Sequence, residues 1–154
     1  AETVCRFVAH QLEIPTTIAR LSVPYGDNGG WMYYHLLMMQ QGIPIDLHPE
    51  QPNYYNPLHA EDYIEKIPYL LAAATAEVTT LNFGGSQRVS IEEWCAYIGE
   101  LTGLQAKFQT NPQAFGSLCI DTDKMHELIG GTRVDWRDGI RRQIQHLAPE
   151  TLLA

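Results

Sequence analysis

The stretch Thr16-Thr17-Ile18-Ala19-Arg20-Leu21-Ser22, continued by Val23-Pro24-Tyr25-Gly26-Asp27-Asn28-Gly29-Gly30, decides the fold. Its first half is short, apolar and β-branched and gives way to turn-forming residues, the signature of a strand buried in a parallel sheet. From Pro24 to Gly30 the content of Pro, Gly, Asn and Asp predicts a loop. The flanks read as helices. Upstream, Val4, Cys5, Val8 and Leu12 recur at helical spacing over residues 1–12, and the helix ends near Ile14-Pro15. Downstream, Trp31 to Gln41 is a strongly apolar helix that Gly42 stops.

The same alternation continues to the end of the chain. Ile43 to Leu47 reads as a short strand and His48 to Pro57 as a loop. A helix over 60–74 follows, with an apolar stripe of Tyr63, Ile64, Ile67, Leu70 and Leu71, and Pro68 is expected to kink or split it. Val78 to Phe83 is a second buried strand, ended by Gly84-Gly85. Ser90 and Glu93 have the spacing of a capping box for a helix that runs to about Thr102 and stops at Gly103. Ala106 to Thr110 predicts a strand. Asp121 or Thr122 caps a helix to Leu128, Gly130-Gly131 ends it, and Trp136 to Leu147 forms the last helix. Strands alternating with helices indicate an α/β fold.

Composition narrows the function. A formal charge of −8 with only ten Lys and Arg, five of them in the last 31 residues, argues against nucleic acid as a partner. Cys5, Cys95 and Cys119 are odd in number and far apart, which reads as reduced thiols of a cytoplasmic protein. No apolar run reaches the ~18–20 residues of a membrane span. The six histidines have no metal-ligand spacing, and no metal site is expected. GxGxxG, GxxxxGK[ST], HExxH and GxSxG are all absent, and the Gly84-Gly85 and Gly130-Gly131 pairs read as turns.

Four segments, in order, resemble the C-terminal half of the extended short-chain dehydrogenases of the NAD-dependent epimerase/dehydratase family. Arg20-Leu21-Ser22-Val23-Pro24-Tyr25-Gly26 is similar to the family's R-[YF]-F-N-[VP]-Y-G. Pro57-Leu58-His59-Ala60-Glu61-Asp62-Tyr63 resembles F-V-H-V-D-D. Leu81-Asn82-Phe83-Gly84-Gly85, then Ser90-Ile91-Glu92-Glu93 and Leu101-Thr102-Gly103, looks like N-I-G-G…S-I-x-E…L-T-G. Asp121-Thr122-Asp123-Lys124 to Leu128-Ile129-Gly130, then Gly139-Ile140, resembles D-x-S-K…E-L-G…G-I. Each match alone is weak; four in this order and spacing are specific.

The resemblance implies the last strands of a Rossmann-type sheet plus a small α/β substrate-binding domain. Residues 1–30 and about 58–85 would belong to the sheet region, and about 31–57 and 86–154 to the substrate-binding part. It implies NAD or NADP as cofactor of a longer parent, whose catalytic Tyr and Lys would lie just before Ala1, with Glu2 as the residue that follows them. No catalytic residue is then expected within the chain, and tight dinucleotide binding by the chain alone is not expected. The implied partners are a small-molecule substrate, the chain's own N-terminal half and, in the full-length protein, a second copy.

By the same resemblance Leu21, Ser22 and Pro24 would lie along the cofactor. Val23, Tyr25, Trp31, Tyr34, Tyr55 and His59 would face substrate, with Tyr33 beside them; ordinary helix packing is the plainer reading of the aromatic residues. His59 and Asp62 have an equally plain reading at a helix N-terminus. The departures from the family pattern concern charge. Val23 stands where members acting on nucleotide-diphosphate sugars usually have Asn, and Tyr55 where they have Arg. Only Lys107 lies between Gln105 and Thr122, and Lys66 is the only cation from Leu21 to Gln87. A diphosphate calls for cations, so a substrate other than a nucleotide-diphosphate sugar is expected. The competing readings are a non-catalytic binding module on the same fold, distinguished by an upstream frame lacking GxxGxxG and YxxxK, and a reductase piece of a multidomain synthase.

Overall fold

In the computed structural model, which describes residues 1–153, helix α1 (Glu2–Leu12) leads into β1 (Thr17–Leu21). β2 (Val23–Gly26) and β3 (Gly29–Gly30) follow, then α2 (Trp31–Gln41), β4 (Ile45–Leu47), β5 (Tyr54–Tyr55) and β6 (Pro57–His59). Next come α3 (Ala60–Ala72), β7 (Thr79–Phe83), β8 (Val89–Ser90) and α4 (Ile91–Thr102). β9 (Phe108–Thr110), α5 (Asp123–Ile129), α6 (Trp136–Leu147) and a 3₁₀ turn at Pro149–Thr151 complete the chain.

The α/β reading holds. β1 pairs with β7 in parallel from Thr17↔Thr79 to Leu21↔Phe83. A three-stranded sheet has the order β3-β2-β6, and two small pairs, β4 with β9 and β5 with β8, lie apart from it. Helix ends follow the local chemistry. Ser90 and Glu93 form the expected reciprocal capping box on α4, and Gly42 and Gly103 close α2 and α4 in the left-handed region. At α5, Thr122 is the cap residue, yet Asp121 Oδ1 makes the bond, accepting from the Asp123 amide.

Four expectations are corrected. The Pro24–Gly30 stretch is not a loop: β2 runs beside β6 from Val23 to Tyr25, and β3 returns against Tyr25 and Gly26. Pro24 fits because β3 ends opposite Tyr25, so Pro24 has β6 as its one paired neighbour. Within 48–57, Tyr54 and Tyr55 pair with β8, a two-residue strand too short to show a period. Pro68 does not split α3, which continues from Ala60 to Ala72 with Pro68 on an exposed face. The fourth correction concerns burial. β1 is exposed over Ala19, Arg20 and Leu21, and the apolar stripe of α3 faces outward. Ile64 is 62% and Leu71 72% exposed, while the buried α3 residues are Asp62 and Lys66.

Two apolar clusters organise the interior. The larger joins α2, α4 and α6 through Met32, Leu36, Trp94, Ile98, Ile140 and Ile144, with Tyr25 and Tyr55 at its sheet side. The smaller comprises Leu58, Leu81, Phe83, Met125 and Ile129, so that α5 packs on β7 and α3. Asp62 ties these parts together, its carboxylate accepting from the Arg133 and Val134 amides at 2.8 and 3.0 Å. Outside both clusters, α1 presents Val4, Phe7, Val8 and Leu12 to solvent. It is held to the sheet by polar contacts, Arg20 to Glu2 at 2.7 Å and Arg6 to Thr80.

Candidate functional site

A two-part cleft opens at the carboxyl end of β1, the position where ligands of open α/β sheets bind. Its inner part, about 320 Å³, is lined by Leu21, Ser22, Val23, Trp31, Tyr55, Phe115, Gly116 and Leu118. The outer part, about 330 Å³, shares Trp31, Tyr55 and Phe115 and adds His35, Met38, Ile45, Asp46, Ile91, Asn111, Gln113 and Ala114. The shared aromatic residues form the wall between the two. Trp31 meets Tyr55 edge-on at 5.2 Å and lies nearly parallel to Phe115 at 6.0 Å.

Each wall residue is fixed by its element. Trp31 opens α2, so it stands at the helix end nearest β2, and His35 follows one turn later on the same face. Tyr55 is held by β5 and its hydroxyl donates toward the Phe115 and Gly116 carbonyls, 2.9 Å to each. That contact, with the Leu118 amide donating to Tyr54 O at 2.8 Å, pins the 111–118 loop over the cleft. At the inner end the Ser22 amide donates to Phe83 O at 2.8 Å, while Ser22 Oγ is buried with no partner among the described residues. Gly84 permits this closeness, since a Cβ there would come within 2.9 Å of Ser22 Cβ.

The electrostatics are simple. His35 Nδ1 accepts from Trp94 Nε1 at 2.8 Å, and burial pushes its pKa down to about 4. The ring is therefore neutral near pH 7 with its proton on Nε2. Asp46 accepts from Gln109 Nε2 at 2.6 Å and from Asn111 Nδ2 at 2.8 Å. These bonds, Asn111 first, hold its carboxyl below the usual range, so it is ionised at neutral pH. Among the described residues, Asp46 is the only charged side chain lining either part of the cleft.

The structure thus brings together Leu21, Ser22, Val23, Trp31 and Tyr55. Pro24 lies just outside, on an exposed position of β2. Tyr25 is 3% exposed and packs on Gly139 and, edge-on, on His59; burial raises its hydroxyl pKa. Tyr34 is 62% exposed and outside the cleft. His59 caps α3, accepting from the Glu61 amide, and borders a separate polar hollow with Asp27, Glu61 and Arg142. Sequence reasoning missed His35, Asp46 and Phe115. A lone Phe in the Asn111–Gly116 loop is the one signal that pointed to the cleft roof, because an apolar side chain there has no helix or strand to pack into.

No protein-family model matches the sequence, and no curated protein matches it. Solved structures do. UDP-glucuronic acid 4-epimerase from Bacillus cereus, in complex with UDP-glucuronic acid and NAD, superposes with a TM-score of 0.80 at 17% identity, over 97% of this chain and 50% of that one. UDP-glucose 4-epimerase from Thermotoga maritima gives 0.79 at 14% identity, over 97% and 51%. dTDP-glucose 4,6-dehydratase from Bacillus anthracis, in complex with NAD, gives 0.78 at 17%, over 94% and 48%. The chain has the fold of the C-terminal half of such NAD-dependent epimerases and dehydratases, and spans about half their length.

Proposed function

We propose that this chain is the substrate-binding portion of an NAD(P)-dependent epimerase, dehydratase or reductase. The observation that carries the reading is the cleft at the carboxyl end of β1, on a fold shared with NAD-bound enzymes. Only the nicotinamide end of a dinucleotide would reach the inner part. Leu21 and Ser22 line that end and would run beside the nicotinamide, with Pro24 just outside it. The cofactor would supply hydride acceptance and return. This chain's residues would position the substrate: Val23 and Trp31 flank the reacting end, Tyr55 holds the roof, and Phe115 excludes water.

The substrate is a small molecule other than a nucleotide-diphosphate sugar. Support comes from charge, because no cation among the described residues lines the cleft to meet a diphosphate, and Lys66 is buried on α3 beside Glu65. The neighbours named above bind UDP- and dTDP-sugars or act on them, so this point is the sharpest one to test. Isothermal titration of the chain and of the longer polypeptide with UDP-glucose should show no binding below about millimolar; micromolar binding by either overturns it.

The exposed faces of α1 and α3 and the open edge of β1 belong, in this reading, against a dinucleotide-binding half and a second copy. Apolar area of this kind at helix surfaces marks an interaction surface.

A further inference from the structure

We propose that the outer part of the cleft receives an ammonium group, held between the Asp46 carboxylate and the aromatic faces of Trp31 and Phe115. The inference rests on the substrate reading above and names the charge of what enters.

Three observations converge. The first is that Asp46, exposed at the rim, is the only charged side chain among the described residues lining the cleft and is fixed by two amide donors, one on each oxygen. Each oxygen keeps a lone pair free, and the carboxylate is not neutralised by a lysine or arginine. Second, Trp31, Tyr55 and Phe115 line the same space, and aromatic faces attract a cation through their negative quadrupole, Trp most strongly. Phe115 is 76% exposed, a large apolar ring kept in water beside the cleft rather than in a core. The third is that the one basic side chain in the wall, His35, is neutral because Trp94 occupies Nδ1 and burial disfavours its charge. No cation of the protein therefore competes for Asp46 or repels a positive ligand. A carboxylate with an aromatic wall and no counter-cation selects for an amine and against phosphate.

The test uses choline and its uncharged isostere 3,3-dimethylbutan-1-ol, titrated into the chain while tryptophan fluorescence is followed. Choline should saturate the signal with a Kd roughly five-fold or more below that of the isostere. Asp46→Asn should reduce that preference, and Phe115→Leu should weaken choline without altering the circular dichroism of the fold. Added salt should raise the choline Kd. Equal binding of the two ligands overturns the proposal, as does an unchanged preference in both variants. No response to choline overturns this inference alone; no response to choline together with micromolar binding of UDP-glucose overturns it and the substrate reading as well.

Discussion

The region built on α1, β1 and α3 and the lobe built on α2, α4 and α6 are made from similar amounts of apolar sequence, and they bury it differently. In the lobe, Leu36, Trp94, Ile98 and Ile140 are each 0% exposed. In the sheet region, Val4, Phe7, Leu12, Ile64 and Leu71 are 62–72% exposed, apart from a small cluster around Leu81 and Phe83. The helices of both regions carry apolar stripes, except α2, which is apolar on all sides. What differs is how much of their apolar surface the described residues cover. The lobe encloses its own apolar core; in the sheet region β1 and β7 pair in register and the helix faces stay exposed among the described residues. The cleft lies where the two meet, with Ser22 and Val23 from one side and His35 from the other.

The contrast predicts unequal responses to mutation. The largest belongs to the lobe core. Trp94→Ala removes a fully buried side chain and the donor to His35, and should cost about 3–5 kcal/mol, measured by urea denaturation. A loss below about 1 kcal/mol would mean that the lobe core is not organised around Trp94.

Acid should also act through the lobe. His35 has a folded pKa of about 4, below its ordinary value, so on acidification the unfolded chain takes up the proton first. Stability is unaffected above about pH 6.5 and falls as pH drops from there toward about 4, by up to about 3 kcal/mol. The measurement is the denaturation midpoint against pH, with His35→Gln showing a flatter profile. A wild-type curve that rises on acidification would contradict the burial of the neutral ring.

A smaller effect is expected at the α4 cap. Ser90→Ala removes the side-chain half of the capping box and should cost about 1 kcal/mol in the same denaturation. The smallest is expected on the open faces. Phe7→Ser with Leu71→Ser should change stability by no more than about 0.5 kcal/mol per site, since both side chains are already in water. The double variant should nonetheless reduce self-association in sedimentation, because those faces are where copies of the chain would meet. Equal self-association in the variant would place the sticky surface elsewhere.

Much of this architecture is legible in the sequence because it depends on local chemistry. Gly42, Gly103 and the Ser90–Glu93 pair mark helix ends by backbone geometry and by hydrogen bonds three residues apart. The paired strands β1 and β7 show as short β-branched runs. Other features depend on residues far away in sequence. Tyr54 and Tyr55 become a strand only because Val89 and Ser90 lie beside them, and Pro24 is tolerated in β2 by the place where β3 ends. The α3 stripe illustrates the limit: periodicity identified an apolar face but not what covers it. The buried α3 residue Asp62 is satisfied by amides 71 and 72 positions away. At the cleft, Trp31 and Tyr55 could be picked out as aromatic residues next to matched motifs. His35 and Asp46 could not, since their roles come from Trp94, Gln109 and Asn111, which reach them through the fold.

The central claim is that this chain holds the substrate side of a nicotinamide-dependent site and leaves the dinucleotide to another half. The most direct measurement is titration of NADH, followed by its fluorescence, into the 154-residue chain and into a polypeptide joining it to its dinucleotide-binding half. The account predicts no saturable binding to the chain alone below about millimolar, and binding on the order of micromolar to the joined polypeptide, weakened when Ser22 is replaced by a bulky residue. Tight binding to the chain alone, or none to the joined polypeptide, would contradict it.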